Sequence, residues 1–288
     1  MAAEFRVLGP TAFSGSGTAL CAKSLEMHMG DVRITVLGAV EMRVNTRRID
    51  LGTPKQRCLF AALAVSPGRP VTIETIAARV WGAQPPGDVN NNIYTYVARL
   101  RRRLRQESTD VPLLACGAES YVLEVEPRCV DLWQVRALVE RADTAVAAGR
   151  DDDGLLLYRD ALRLWRDEPL CGLRGAWVER TRTALKHEHL AVLMRYSAVG
   201  LRLGRHEQLV GELASVLSEN PLDEALAGQL MLSLYRSDRR AHALAVFHRI
   251  RAELENEIGV DPGPGLRQLY ADLLCGEGVR AVERSEAR

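Results

Sequence analysis

Between residues 32 and 52 apolar and polar positions alternate. "VRITVLGAVEMRVNTRRIDLG" is rich in Val and Ile and holds a turn-like "NTRR", which predicts two or three short antiparallel strands. The period then changes. "GTPKQRCLFAALAV" opens a helix with Thr53 as N-cap, Pro54 at the first helical position, and Leu59 and Leu63 on one face. "SPGRP" ends it. "VTIETIAARVWG" predicts a second, shorter helix, capped by Thr72, with Ile73, Ile76, Ala77 and Val80 as its seam and Gly82 as its stop. After the loop "AQPPGD" comes a third helix, "DVNNNIYTYVARLRRRLRQ" (88–106). "LLACGAESYVLEV" (113–125), two apolar runs around a small polar turn, follows as a β-hairpin.

From Val130 onward the pattern is almost purely helical, broken at Gly149, "DEPLCG", "RLGR", "NP", "SDR" and "GVDPGPG". Two parts of it repeat. "LGRHEQLVGELASVL" and "SDRRAHALAVFHRIR" align with Gly204 over Asp238, Arg205 over Arg239 and Leu213 over Phe247, an offset of 34. That is the tetratricopeptide period, in which stacked helix pairs bury a shared face. The Gly149-Arg150 break before "LLLYRDALRLW" suggests a third, degenerate unit; a generic helical bundle is the alternative.

The third helix is chemically unusual. On a wheel of about 100° per residue, Ile93, Val97, Leu100, Leu104 and Tyr96 form one apolar seam. Opposite it lie Asn91, Thr95, Arg99 and Arg102, with Ala98 leaving room, and Arg101, Arg103 and Arg105 along the rims. A buried seam backed by amides, a hydroxyl and arginines suits a DNA major groove: bidentate Arg for guanine, Asn for adenine, flanking cations for phosphates. A solvated charged face and an acidic protein partner are the competing readings. No Asp or Glu occurs from residue 89 to 106, so the arginines lack acidic neighbours within their own helix and repel one another. Three helices followed by a hairpin favour DNA, because a helix-turn-helix with a wing puts its third helix in the groove.

Charge distribution sharpens this. The 288 residues carry a formal net charge of only +1, yet residues 31–127 hold thirteen Lys/Arg against ten acids, and residues 128–288 hold 23 against 25. The six scattered cysteines form no metal-ligand cluster and read as reduced, buried thiols of a cytoplasmic protein. His187 and His189 point to different helix faces, read as surface, and cannot chelate as a pair. No apolar run reaches the roughly 18 residues of a membrane span. Neither a nucleophile–base pair nor a GxxxxGK[ST] phosphate loop is visible, so neither an enzyme nor a cofactor is expected.

"PKQRCLFAALAVSPGRPVTIETIAARVWGAQPP", "NNIYTYVARLRRRL" and "GVDPGPGLRQLYADLL" together resemble the Streptomyces antibiotic regulatory protein family over about residues 31–278. The resemblance implies an OmpR-type winged helix-turn-helix of α+β class at 31–127. An all-α, tetratricopeptide-like bacterial transcriptional activation domain would follow at 128–278, with an N-terminal extension at 1–30 and a tail at 279–288. It implies a transcriptional activator of a secondary-metabolite gene cluster that binds direct repeats of double-stranded DNA as a tandem homodimer and recruits RNA polymerase holoenzyme. By position, Asn92, Thr95, Arg99, Arg101 and Arg102 match the family's recognition helix, and Lys55 matches a basic residue at the start of its first helix. The alternative is a helical-repeat adaptor whose basic helix docks an acidic protein.

Three departures stand out. The family's wing turn is glycine-rich with an arginine before Tyr; here it is "GAESY", with Glu119 near the tip, where phosphates would repel it. The alanine usual in the recognition helix is Arg103, an extra candidate phosphate contact. "FRVLGPTAF" echoes "ITVLGAVEM", so residues 1–30 read either as a mis-assigned start upstream of Met27 or Met29 or as a frayed, disordered N-terminal arm.

Overall fold

The computed structural model describes residues 32–106, 113–115 and 119–276. The expectations for residues 1–30, for the tail at 279–288 and for Gly117 at the wing turn lie outside these residues.

Three strands, β1 (Val32–Thr35), β2 (Glu41–Val44) and β3 (Arg47–Ile49), form an antiparallel sheet in the order β1-β2-β3. Their alternation puts Val32, Ile34, Met42, Val44 and Ile49 inward, all buried. The chain then enters α1 (Pro54–Ala64) through a capping box. The Thr53 amide donates to Gln56 Oε1 at 3.0 Å, and the Gln56 amide reaches back to the Thr53 hydroxyl at 3.5 Å. From Cys58 to its end α1 is buried on every side. That is why it lacks the one-sided pattern of a surface helix.

A short strand, β4 (Val71–Thr72), leads into α2 (Ile73–Trp81), which Thr72 caps through its hydroxyl and Gly82 ends. The third helix, α3 (Val89–Gln106), precedes β5 (Leu113–Ala115) and β6 (Ser120–Leu123). These two strands join β4 in a second antiparallel sheet of order β4-β6-β5. The arrangement is a winged helix-turn-helix.

A 3₁₀ turn, Pro127–Cys129, leads into seven helices: α4 (Asp131–Ala147), α5 (Asp151–Leu162), α6 (Ala176–Arg202), α7 (His206–Glu219), α8 (Glu224–Arg236), α9 (Arg240–Ile258) and α10 (Pro264–Cys275). Consecutive helices pack as antiparallel pairs, and α10 closes the stack against α8 and α9. The repeat is visible atom by atom. Gly149, Gly204 and Asp238 all adopt left-handed backbone, with φ of 74°, 72° and 59°. The following amides of Arg150, Arg205 and Arg239 donate to Ala145, Gly200 and Leu234 carbonyls at 2.9, 2.8 and 2.9 Å. Three helix pairs therefore turn through the same C-terminal cap. Among the described residues no helix is long and apolar enough to cross a membrane.

The two parts are joined by more than a linker. The segment after β1 is gripped from both sides by the helical part. The Asp131 carboxylate accepts the Val36 amide at 2.9 Å and the Leu37 amide at 3.0 Å. On the other side, Arg166, Leu170 and Cys171 amides donate to the Leu37, Val36 and Gly38 carbonyls at 3.2, 3.0 and 3.0 Å. Trp133 donates to the Val65 carbonyl, and the Arg79 guanidinium stacks over Trp177 at 5.6 Å. One cluster of buried side chains runs from Val32 to Leu273.

Two smaller expectations are corrected. Of the described cysteines only Cys58 is buried, with burial pushing its thiol up to about 11; Cys171 and Cys275 are exposed. His189 is a packing residue, its ring stacked on Trp165 at 4.8 Å, while His187 is exposed.

Candidate nucleic-acid interface

Asp88 starts α3: its carboxylate accepts the Asn91 amide at 3.0 Å, and its carbonyl accepts the Asn92 amide at 3.2 Å. Ile93, Val97, Leu100 and Leu104 are at most 2% exposed and face the core, which orients the opposite strip outward. One rim leans on α2, where Tyr96 stacks on Trp81 at 6.0 Å. The other leans on the wing, where Tyr94 meets Tyr121 edge-on at 6.4 Å. Burial and Tyr94 push the Tyr121 hydroxyl up while Arg101 lowers it, so Arg101 stands beside the wing.

Asn91, Arg99, Arg102 and Arg105 are exposed, with Thr95 half-buried in the same strip and the short Ala98 between them. They project from a helix braced on three sides. Such a surface presents donors and one hydroxyl to a polyanion, with no carboxylate along the helix.

Three site residues have partners that sequence spacing hides. The Lys55 ammonium donates to the Val80 carbonyl, capping the C-terminal end of α2 where a cation is favoured. The Asn92 side chain donates to the Asp88 carbonyl at 2.7 Å, so one of its two amide hydrogens serves its own helix. The Arg103 side chain turns toward the loop after β3. Its Nη1 donates to the Asp50 carbonyl at 3.1 Å and its Nη2 lies 3.2 Å from Asp50 Oδ2. The acid missing within α3 comes from the loop after β3. Gly52, at φ 85°, leaves the space that guanidinium occupies.

The wing is tied to α2 near its turn. The Glu119 carbonyl accepts the Ile73 amide at 2.8 Å, fixing the end of the hairpin turn to the start of α2, and Glu119 itself is exposed. Sequence reasoning missed the aromatic bracing by Trp81, Tyr94 and Tyr121. The one signal for it was an aromatic residue on each flank of the seam.

Comparison with known proteins agrees with this architecture. Residues 46–115 match the family described as transcriptional regulatory protein, C terminal, and residues 130–274 match the bacterial transcriptional activator domain. The chain is 35% identical over 257 residues to the regulatory protein AfsR of Streptomyces coelicolor, covering 89% of this chain and 25% of AfsR. It is 30% identical over 258 residues to the regulatory protein DnrI of Streptomyces peucetius, covering 86% of this chain and 94% of DnrI. The chain thus spans about a quarter of AfsR but nearly all of DnrI. A solved structure of Mycobacterium tuberculosis EmbR in complex with a low affinity phosphopeptide superposes with a TM-score of 0.80 at 30% identity. It covers 86% of this chain and 66% of that one.

Proposed function

The chain belongs to the Streptomyces antibiotic regulatory protein family of transcriptional regulators, and from that premise we propose that it activates a secondary-metabolite gene cluster. In this reading it binds direct repeats of double-stranded DNA near the promoter as a tandem homodimer and recruits RNA polymerase holoenzyme. The observation that carries the reading is the outward strip of α3, Asn91, Thr95, Arg99 and Arg102, on a helix seated between α2 and a wing. Arg99 and Arg102 offer bidentate donors to guanine edges and Asn91 an amide to adenine. Arg105 and Arg101 serve phosphates on the rims. Lys55, Asn92 and Arg103 position the helices.

Titration of a direct-repeat promoter fragment and a random duplex across a salt series tests this. The expected result is a repeat preference of at least about a thousandfold, as specific DNA-binding proteins show. Equal affinity for both duplexes sinks the reading. Salt dependence without sequence preference would favour an adaptor that docks any polyanion.

A further inference from the structure

The outward face of α3 holds an apolar step among its hydrogen-bonding groups. Tyr94 is 47% exposed, and Ala98, also exposed, follows at i+4, about 40° round the helix. Among the described residues Tyr94 is the exposed large apolar or aromatic side chain of the winged part; Leu156, Ile258, Val260 and Leu274 all lie in the helical part. The Tyr94 ring is held in place. It meets Tyr121 edge-on at 6.4 Å, with 70° between the planes. Tyr121 is itself buried and paired on both sides within the second sheet, with Val71 of β4 and Ala115 of β5. An edge-to-face aromatic pair is attractive beyond plain burial, so the sheet fixes where the Tyr94 ring stands while nearly half of the residue stays in water.

An anchored aromatic plate suits a different part of the duplex from the one its neighbours suit. Phosphates and purine edges are met by hydrogen-bonding groups. What the major groove offers an apolar group is the C5-methyl of thymine, which side-chain methyls and aromatic rings contact. Tyr94 supplies a ring and Ala98 a methyl group at adjoining positions, beside the strip of Asn91, Thr95 and Arg102. A bond from the Tyr94 hydroxyl to a phosphate is the rival role, and the two roles part under experiment.

We propose that Tyr94 and Ala98 together enclose a thymine methyl, which makes Tyr94 a specificity-determining residue at one base pair of each half-site. The assignment rests on the DNA-binding reading above and adds a contact that hydrogen bonding does not supply. Uracil in place of single thymines of the preferred half-site tests it, because that exchange removes the methyl and keeps the pairing edge. At one thymine the wild type loses affinity about three- to fourfold, the scale of one methyl group kept out of water. Tyr94→Phe, which keeps the ring, keeps this penalty. Tyr94→Ala binds the thymine and uracil duplexes alike, with the salt slope unchanged. A probe on the DNA side needs no variant: 5-iodouracil at the same position, whose iodine takes the place of the methyl, crosslinks on illumination to Tyr94, as mass spectrometry of the crosslinked peptide reads.

A half-site insensitive to every uracil exchange overturns the proposal, as does a crosslink that maps to another residue. A penalty that survives Tyr94→Ala gives the methyl to another side chain. Equal weakening of Tyr94→Phe and Tyr94→Ala on specific and random DNA gives Tyr94 to the phosphates through its hydroxyl. Each of these ends the methyl-reading role. Where Tyr94→Ala melts lower because the wing loosens, the wild-type uracil scan and the crosslink decide alone. A wild type with no preference for the repeats is a different failure, seen before any exchange, and takes the DNA-binding reading down with the methyl contact.

Discussion

Arg103 Nη2 stands 3.2 Å from Asp50 Oδ2 while its Nη1 holds the Asp50 carbonyl, so the last turn of α3 is tied to the loop that enters α1. The Asp50 carboxylate also accepts the Gly52 amide at 2.8 Å, which fixes that loop for its own part. A guanidinium spent this way counts little in the phosphate inventory. We expect Arg103→Ala to lower stability by about 0.2–1 kcal/mol, as a partly exposed pair does. The slope of log affinity against log salt should change by clearly less than the roughly 0.9 expected for a lost phosphate contact. A full unit of slope lost on this substitution would return Arg103 to the backbone contacts.

Arg102 and Arg105 offer the contrast. Arg102 points directly away from the seam, and Arg105 lies toward a rim; both are exposed. Arg102→Ala is expected to cost about 1–3 kcal/mol on the preferred site and to relax preference at one base position. Arg105→Ala should weaken all sequences alike and reduce the salt slope by roughly 0.9. Binding-site selection on both variants checks the pair. Identical losses on specific and random DNA would remove the base-reading role.

What the sequence displayed and what it hid divide along chain distance. Thr53, Pro54, Thr72 and Gly82 act within one turn of where they stand, so their roles as caps and stops were legible. The outward strip of α3 was legible too, since one helix's periodicity fixes which residues oppose its seam. The partner of Arg103 lies far earlier in the chain and the groups Asp131 holds lie farther still, and no local pattern couples such positions. The same limit explains Lys55. A basic residue at a helix start looks like a free cation until the end of α2 is folded beside it.

Asp131 is the test of how firmly the two parts are joined. Its buried carboxylate accepts the amides of Val36, Leu37 and Leu132, and burial pushes its pKa up against those hydrogen bonds. Asp131→Ala leaves buried donors unsatisfied, an expected loss of roughly 2–4 kcal/mol. Because the grip lies between the parts, denaturant unfolding followed by tryptophan fluorescence should split from one transition into two. A single transition with less than about 1 kcal/mol lost would show that the shared apolar core joins the parts without it.

The repeat caps make opposite predictions for two residues in equivalent places. Gly204 has φ 72° and Asp238 has φ 59°. A side chain in the left-handed region costs about 1–2 kcal/mol. Gly204→Ala should therefore destabilise by about that amount. Asp238→Gly should relieve strain and be neutral or stabilising by up to about 1 kcal/mol, the flexibility it adds to the unfolded chain offsetting part of the gain. Thermal melting of the two variants decides it, and a destabilising Asp238→Gly would mean that the aspartate side chain serves the cap.

Tandem binding sets the last expectation. One winged helix reads a short site, and competition from a genome of about 10⁶–10⁹ non-specific sites demands more discrimination than one module supplies. Two protomers on direct repeats meet that demand only if both recognition helices approach the same side of the duplex, so the repeats should be phased near one turn of about 10–10.5 base pairs or a multiple. An insertion of about five base pairs between the repeats rotates the second site to the opposite side. Contacts between the protomers, and any shared contact with polymerase, are then broken while each α3 strip keeps its own half-site. Footprinting with and without the insertion should show the second repeat filling only at higher protein concentration, and transcription should fall with it. A full turn of inserted DNA should restore part of both. Unchanged occupancy and unchanged transcription across the half-turn insertion would leave an independent monomer on each site and end the tandem model.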